Sequence, residues 1–266
     1  MQKYWSILKI SFYQEFAYRL NFIFWRLRNI IQILIFFFLW NAVFSNNNQV
    51  LGYSKDSIFT YAFVLIVIRA IVFSVRSNDI AGQIANGELT NMLLKPVNYF
   101  KYWITRDALY KLLNIFFGFI EAFVLILILK PSIVIQTNPF YIFAFIFSLI
   151  ISIFLYFNIS MITSFVPFWV PELAWGSQFL VMIVIAEFLS GSAFPIDIFP
   201  KLFYQFLMLT PFPYLIFVPI KIYLGSFNYP LVFQSLAVGI IWCFVLWKIS
   251  IIVWKKGLKV YEGVGR

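Results

Sequence analysis

The sequence predicts an all-α polytopic membrane protein with six transmembrane helices, and three observations predict it. Apolar residues make up 63% of the chain and charged residues 11%, about half the charged share of an ordinary soluble domain. Apolar runs recur at 30–44, 58–75, 112–129, 140–162, 173–189 and 231–253, most reaching or approaching the roughly 17–25 residues with which a helix crosses a bilayer. The alternating pattern of a membrane barrel is absent, and because lipid offers no partners to backbone N–H and C=O groups, helices are the default spanning form.

Charge sets the expected topology. Lys3, Lys9, Arg19, Arg26 and Arg28 precede the first run; Arg76, Lys95, Lys101, Arg106 and Lys111 lie between the second and third; Lys248, Lys255, Lys256, Lys259 and Arg266 close the chain. Six crossings put all of these on one side. Only Lys55, Lys130, Lys201 and Lys221 fall on the other, and Arg69 is left inside a span. The positive-inside rule then places both termini in the cytoplasm, Gln83 inside and Asn47 outside. This asymmetry and attraction to anionic membrane lipid account for the net charge of +10. No nucleic-acid partner is expected, because the basic residues are dispersed along membrane boundaries.

The N-terminal residues MQKYWSILKISFYQEFAYRL interleave charge with apolar side chains and lack the apolar core and cleavage site of a signal peptide. The longest polar stretch, 76–111, is shorter than the roughly 40 residues below which a domain rarely folds alone, so 1–266 is expected to form one membrane domain. The stretch GSAFPIDIFPKLFYQFLMLTPFPYLIFVPIKIYLG (191–225) holds five of the eleven prolines, Pro195, Pro200, Pro211, Pro213 and Pro219. Each interior proline costs a helix roughly 3 kcal/mol, so one continuous helix is excluded here. Apolar pieces at 202–209 and 212–223 are too short to cross but suit re-entrant or interfacial helices, with prolines mostly at their boundaries. The segment 191–229 is therefore expected as an extracellular re-entrant helical hairpin before the last span.

Several chemistries are excluded or unsupported. The chain has no histidine and a single cysteine, Cys243, which removes the commonest metal ligand and any intrachain disulfide. GQIANGEL (82–89) has the glycine spacing of a phosphate-binding loop, but Glu88 stands where lysine is required and Leu89 where the magnesium-binding hydroxyl belongs. It also follows a span and not a strand. No zinc motif or nucleophile elbow is present, and no catalytic residue is assigned.

Three stretches carry a family likeness. The first is DIAGQIANGELTNMLLKPVNYFKYW (79–103), with Gly87-Glu88-Leu89, Leu93-Leu94 and Lys95-Pro96. The second is the proline-rich stretch, with Pro195, Pro200, Pro211-Phe212, Pro219 and Gly225. The third is the tail KKGLKVYEGVG (255–265). In this order along a six-span chain they resemble the permease subunits of type-2 ABC exporters, in particular the small bacterial six-helix branch encoded separately from its ATPase.

The resemblance implies an N-terminal interfacial helix over 1–21. Trp5, Leu8, Phe12 and Phe16 recur at spacings of three and four, with Lys3, Ser11 and Gln14 elsewhere around the helix; an early start to the first span is the alternative. It implies an ATPase-coupling segment in 79–103, in which Ile80, Ile84 and the Leu93-Leu94 pair fill an apolar groove and Asp79, Glu88 and Lys95 make rim contacts, with Gly87, Leu89 and Pro96 in the same segment. A solvated loop is the alternative. The proline-rich hairpin, including Phe203, becomes an outer lid, or else a broken helix that fills space. Partners follow: a pair of ABC ATPases that hold ATP and magnesium, and a second permease chain, identical or related. No cofactor is expected in this chain. The implied role is export of an apolar or amphipathic substrate (a drug, lipid or peptide-like molecule) across the bacterial inner membrane, by a permease that is not itself an enzyme.

An ion-gradient-driven carrier is the other reading, with Arg69, Glu121 and Glu187 as coupling residues, since ionisable groups at depth are functional candidates. The inverted halves common in such carriers are not apparent. Counted from the ends of their runs, Arg69 lies about 16 Å and Glu121 about 14 Å into the bilayer. They are expected to pair.

Overall fold

The computed structural model describes residues 2–17, 19–46 and 49–261, and these are almost wholly helical. Asn47 and the end of the 255–265 tail lie outside the described residues. Helices α1 (Gln2–Ala17) and α2 (Arg19–Val43) lead to a small antiparallel hairpin, β1 (Gln49–Val50) and β2 (Tyr53–Ser54), and then α3 (Lys55–Val72). Short helices α4 (Asp79–Ala85) and α5 (Leu89–Leu93) precede the long α6 (Tyr99–Leu129) and α7 (Pro139–Ser164). Two 3₁₀ turns (Val166–Phe168 and Pro171–Leu173) lead into α8 (Ala174–Phe179), which continues as a π-helical stretch, Leu180–Leu189. A 3₁₀ turn (Ile196–Ile198), α9 (Lys201–Met208), another 3₁₀ turn (Phe212–Leu215) and α10 (Phe217–Tyr223) follow, and α11 (Tyr229–Val260) closes the fold.

The ends of the long helices follow from sequence. Ser54, Asn98, Asn138 and Asn228 each accept a backbone N–H at the start of α3, α6, α7 and α11, which satisfies a donor that the first turn leaves open. Pro139 and Pro230 stand in first turns, where proline's missing N–H costs nothing. Helix α6 stops at Lys130, which is left-handed at φ 43°, immediately before Pro131.

Among the described residues, five segments are long and apolar enough to cross a membrane: Arg26–Val43, Tyr99–Leu129, Pro139–Phe168, Pro171–Leu189 and Tyr229–Val260. The expected second span, α3, is 18 residues long and carries Lys55, Asp56 and Arg69. In α3 the three charges fall within only 18 residues, whereas each of the five segments offers an 18-residue stretch with at most two. Even so, α3 is the centre of the fold: Ile58, Tyr61, Ile68 and Val72 are fully enclosed, and α2, α6, α7 and α10 pack against it. Helix α11 lies along α7, and α1 lies along α6, burying Ser11 but leaving Trp5 and Phe12 exposed.

Close approaches are made at small residues. A methyl group at Gly118 of α6 would lie 2.7 Å from the Ala70 Cβ of α3, and one at Gly239 of α11 would lie 2.9 Å from Ile151 of α7. This is the small-residue contact by which membrane helices gain packing without a hydrophobic drive between them.

The proline-rich segment is broken where its prolines fall. Pro195, Pro200 and Pro211 immediately precede short helices, Pro213 lies in the first turn of a 3₁₀ helix, and Pro219 lies in the first turn of α10. Gly225, at φ 64°, follows the end of α10. Helix α10 and the turn before it are enclosed, with Leu215, Ile216, Phe217 and Ile220 at 0% exposure, whereas Leu202, Phe206 and Leu209 of the α9 region stand out from the surface.

Replacing Gly118 with leucine should lower stability by about 1–3 kcal/mol through overpacking between α3 and α6. The measurement is the thermal unfolding midpoint in detergent, with Gly82→Ala, which meets nothing within 4 Å, as the control. An unchanged midpoint in Gly118→Leu would show that the two helices do not meet there.

Candidate functional site

Three polar junctions tie the bundle together. At the first, Arg69 of α3 grips Glu187 of the π-helical stretch with both arms of its guanidinium: Nη1 to Oε2 at 2.8 Å and Nη2 to Oε1 at 2.5 Å. Such two-point pairing is the strong form of the charged hydrogen bond. Arg69 Nη1 also donates to Ser192 Oγ at 2.6 Å, Gln32 Nε2 of α2 donates to Glu187 Oε2 at 3.1 Å, and Arg28 stands 3.7 Å away. Glu121 of α6 is held separately. It accepts from Arg26 of α2 at 3.2 Å, while Arg26 also donates to the Asn114 carbonyl at 2.8 Å.

The expected Arg69–Glu121 pair is therefore replaced by Arg69–Glu187 and Arg26–Glu121. Similar depth brought the first two together in the sequence reading, but depth is one coordinate. Rotation of each helix about its axis decides which carboxylate an arginine faces, and here it turns Arg69 toward the fifth apolar segment.

At the second junction, Lys111 Nζ donates to the carbonyls of Ile71, Val72 and Ser74 at 3.0, 3.2 and 2.9 Å. Asp107 accepts from the backbone N–H groups of Arg76 and Ser77 at 2.5 and 3.1 Å. Two side chains of α6 thus cap the C-terminal end of α3 and fix the turn beyond it, satisfying carbonyls that a helix end leaves open. At the third, near the N-terminus of α3, Lys221 of α10 pairs with Asp197 at 3.0 Å, and Tyr53 donates to the same carboxylate at 2.8 Å. Burial and then the Asp197 charge push the Tyr53 phenol well up, so it remains a donor.

At the opposite end, the 79–103 segment forms a compact foot. Ile80, Ile84, Leu89 and Met92 are buried against Trp103, Phe165, Phe168 and Trp254, and Tyr99 stacks on Trp254 with ring centres 4.0 Å apart. Gly87, at φ 75°, makes the turn between α4 and α5 that a side-chain-bearing residue adopts with strain. Ile80 and Ile84, expected to reach outward, are instead part of this inner cluster. The apolar residues that the foot presents are Leu93 and Leu94, 44% and 80% exposed. Glu88, Lys95 and Pro96 are exposed beside them, and Asp79 lies 3.7 Å from Arg106.

In the proline-rich segment, Pro195, Pro211 and Pro219 are buried, Phe212 is half-buried, and Pro200 and Phe203 are exposed. Phe203 meets Phe199 edge-on with ring centres 5.3 Å apart.

A family model described as ABC-2 family transporter protein matches residues 30–265, from within α2 through the foot and the proline-rich segment to the tail. The chain belongs to the ABC-2 family of transporter proteins. No curated protein and no solved structure matches it. As an ABC-2 protein it is the transmembrane permease component of an ABC transporter, a membrane protein that works with an ABC ATPase. Sequence reasoning missed Arg26, Gln32, Ser192, Asp107, Lys111, Tyr53, Asp197 and Lys221 of this permease as structural partners. Gln32, an amide inside the 30–44 apolar run, carried the clearest signal.

A double-mutant cycle tests the pairing. Arg69→Leu alone should cost about 3–5 kcal/mol, because it strands a buried carboxylate. Combined with Glu187→Leu it should show strong coupling in unfolding experiments, and combined with Glu121→Leu it should be close to additive. Coupling to Glu121 and not to Glu187 would refute this junction.

Proposed function

We propose that the chain forms half of an ATP-driven export pathway in the bacterial inner membrane, with a second permease chain as the other half and a pair of ATPases beneath. The family membership carries this reading. The foot supports it: α4 and α5 are braced against α6, the end of α7 and α11, so a push on Leu93 and Leu94 is passed to the spans and not absorbed by a loose loop. Gly87, Glu88, Leu89, Lys95 and Pro96 complete the coupling segment, Leu89 from inside. ATP and magnesium belong to the partner ATPases. Closure of the ATPases would then drive the feet together and open the outer side, a rigid-body form of alternating access.

In this arrangement α3 is the sixth crossing. Lys55 and Asp56 occupy its first turn and reach the interface, and Arg69 is neutralised inside the bundle by Glu187. Both termini and the foot face the cytoplasm. The exposed Trp5 and Phe12 of α1 lie on lipid headgroups as an interfacial helix. The segment from Pro195 through Pro200, Phe203, Pro211, Phe212 and Pro219 to Gly225 is the outer lid: α10 is its fixed, enclosed half and α9 its open half. An ion-gradient carrier is disfavoured, since Glu121 and Glu187 are both occupied in ion pairs. The cargo is apolar or amphipathic.

Two measurements test this. Replacing Leu93 and Leu94 together with aspartate puts charge into the apolar contact and should cut recovery of the ATPase with the permease by at least about tenfold, roughly 1.4 kcal/mol. Full recovery, with normal ATP hydrolysis, would remove the foot from the coupling mechanism. Topology is read in a Cys243→Ser background by an impermeant thiol reagent on intact cells. Asn46→Cys should react and Asn86→Cys should not; equal labelling would refute the orientation.

A further inference from the structure

The turn that leads into the foot is held by more than the Asp107 carboxylate. Ser77 and Asn78 end the connection from α3 to α4, and polar side chains of α7 and α8 close on them. Asn78 Oδ1 accepts from Ser160 Oγ at 2.6 Å, and the Asn78 carbonyl accepts from Gln178 Nε2 at 2.7 Å. Gln178 Nε2 also donates to Ser164 Oγ at 3.2 Å, and the Ser77 and Ser160 hydroxyls lie 3.0 Å apart. Ser77, Ser160 and Ser164 are fully enclosed. Two consecutive residues are thus bonded to α6, α7 and α8 at once.

Neither of the two amide side chains is placed as local stability alone would place it. Asparagine is among the best residues for capping a helix start, and Asn78 stands at that position of α4. Yet its side chain makes no cap and reaches across to α7 instead. Gln178 makes both of its bonds through Nε2, while its Oε1 is buried with no partner among the described residues. A buried acceptor without a partner is costly, and an apolar side chain of the same shape can replace such a group at little loss. What the two side chains do share is that each ties the entry of the foot to another element.

The direction of the tie matters. Helix α8 begins the fifth apolar segment, and further along that segment Glu187 clasps Arg69. The apolar cluster of the foot draws on α6, α7 and α11 and, among the described residues, on none of α8. Gln178 supplies a hydrogen-bonded link in its place.

We propose that Asn78 and Gln178 are positioning residues for energy coupling. They make the foot and the fifth apolar segment one lever, so that ATPase closure against Leu93 and Leu94 moves Glu187 and the proline-rich segment beyond it. This rests on the transport reading above and adds to it a route through α8.

The test uses the permease with its partner ATPases in phosphatidylcholine nanodiscs, in the Cys243→Ser background. An environment-sensitive fluorophore is attached either at Asn91→Cys in the foot or at Phe194→Cys at the start of the proline-rich segment, both exposed positions. ATP with vanadate should change the emission of both reporters. In Gln178→Met and in Asn78→Leu, the Asn91 response, ATP hydrolysis and ATPase recovery should persist. The Phe194 response should fall about tenfold, the size of an ordinary coupling between sites. Asn78→Asp keeps the acceptor for Ser160 and should keep the Phe194 response. Gln178→Met should leave the unfolding midpoint unchanged, which separates lost coupling from lost structure, and it decides the matter if Asn78→Leu does not assemble. A full Phe194 response in Gln178→Met, or equal loss at both reporters, would overturn the joint while leaving the transport reading in place. A Phe194 reporter silent to ATP in the unsubstituted protein would instead count against the transport reading and take the joint's role with it.

Discussion

Everything in this bundle depends on burying α3 with an arginine in it. An unpaired cation at that position would be expensive in lipid or in a packed core, so the surrounding elements are arranged around its guanidinium. Glu187 meets it with two hydrogen bonds, Ser192 takes a third, and Gln32 steadies the carboxylate from α2. One side chain thereby fixes α2, α3, the π-helical stretch and the start of the proline-rich segment relative to each other. π-Helical turns recur at functional sites, and Glu187 lies on one.

The same helix connects the two ends of the molecule. Lys111 and Asp107 of α6 cap the C-terminal end of α3 and hold the turn at Arg76 and Ser77. Two turns earlier on α6, Trp103 sits in the foot beside Ile80 and Leu89. A displacement of the foot is thus delivered by α6 to the end of α3, close to Arg69. At the N-terminal end of α3 the chain is tied again: Tyr53 and Lys221 meet on Asp197, and Thr60 accepts from the Val134 N–H at 2.7 Å. Helix α3 is short and central, and it is anchored at both ends by side chains from other elements.

Much of this architecture was legible in the sequence, because it rests on composition and on local rules. Apolar length marks the spans, and prolines mark the breaks between short helices. The partners were not legible. Arg69 and Glu121 share a depth, but depth does not give rotation, and the carboxylate that Arg69 faces comes from a segment 118 positions away. Arg26 was counted with the terminal charges; it lies inside α2 and reaches Glu121. Ile80 and Ile84 show the same limit in another form. Their spacing announces an apolar face but not whose core receives it, and the chain's own aromatic cluster does so before any partner can.

The junctions also constrain how such a bundle can change shape. Separating Arg69 from Glu187 would strand two charges at a cost of about 3–5 kcal/mol, and bending the end of α3 would open the carbonyls that Lys111 holds. Movements that keep both intact are therefore the cheap ones. They carry α3, α6, the π-helical stretch and the enclosed α10 as one body. What is thinly held is α9, whose Leu202 and Phe206 face outward. In α2, Gln32 bonds to Glu187, and further along the helix Phe37 stacks on Phe59 of α3 and Trp40 is buried. Helix α2 is thus held against α3 by the polar junction at one level and by aromatic packing at the next, so it belongs with the body that moves as a unit.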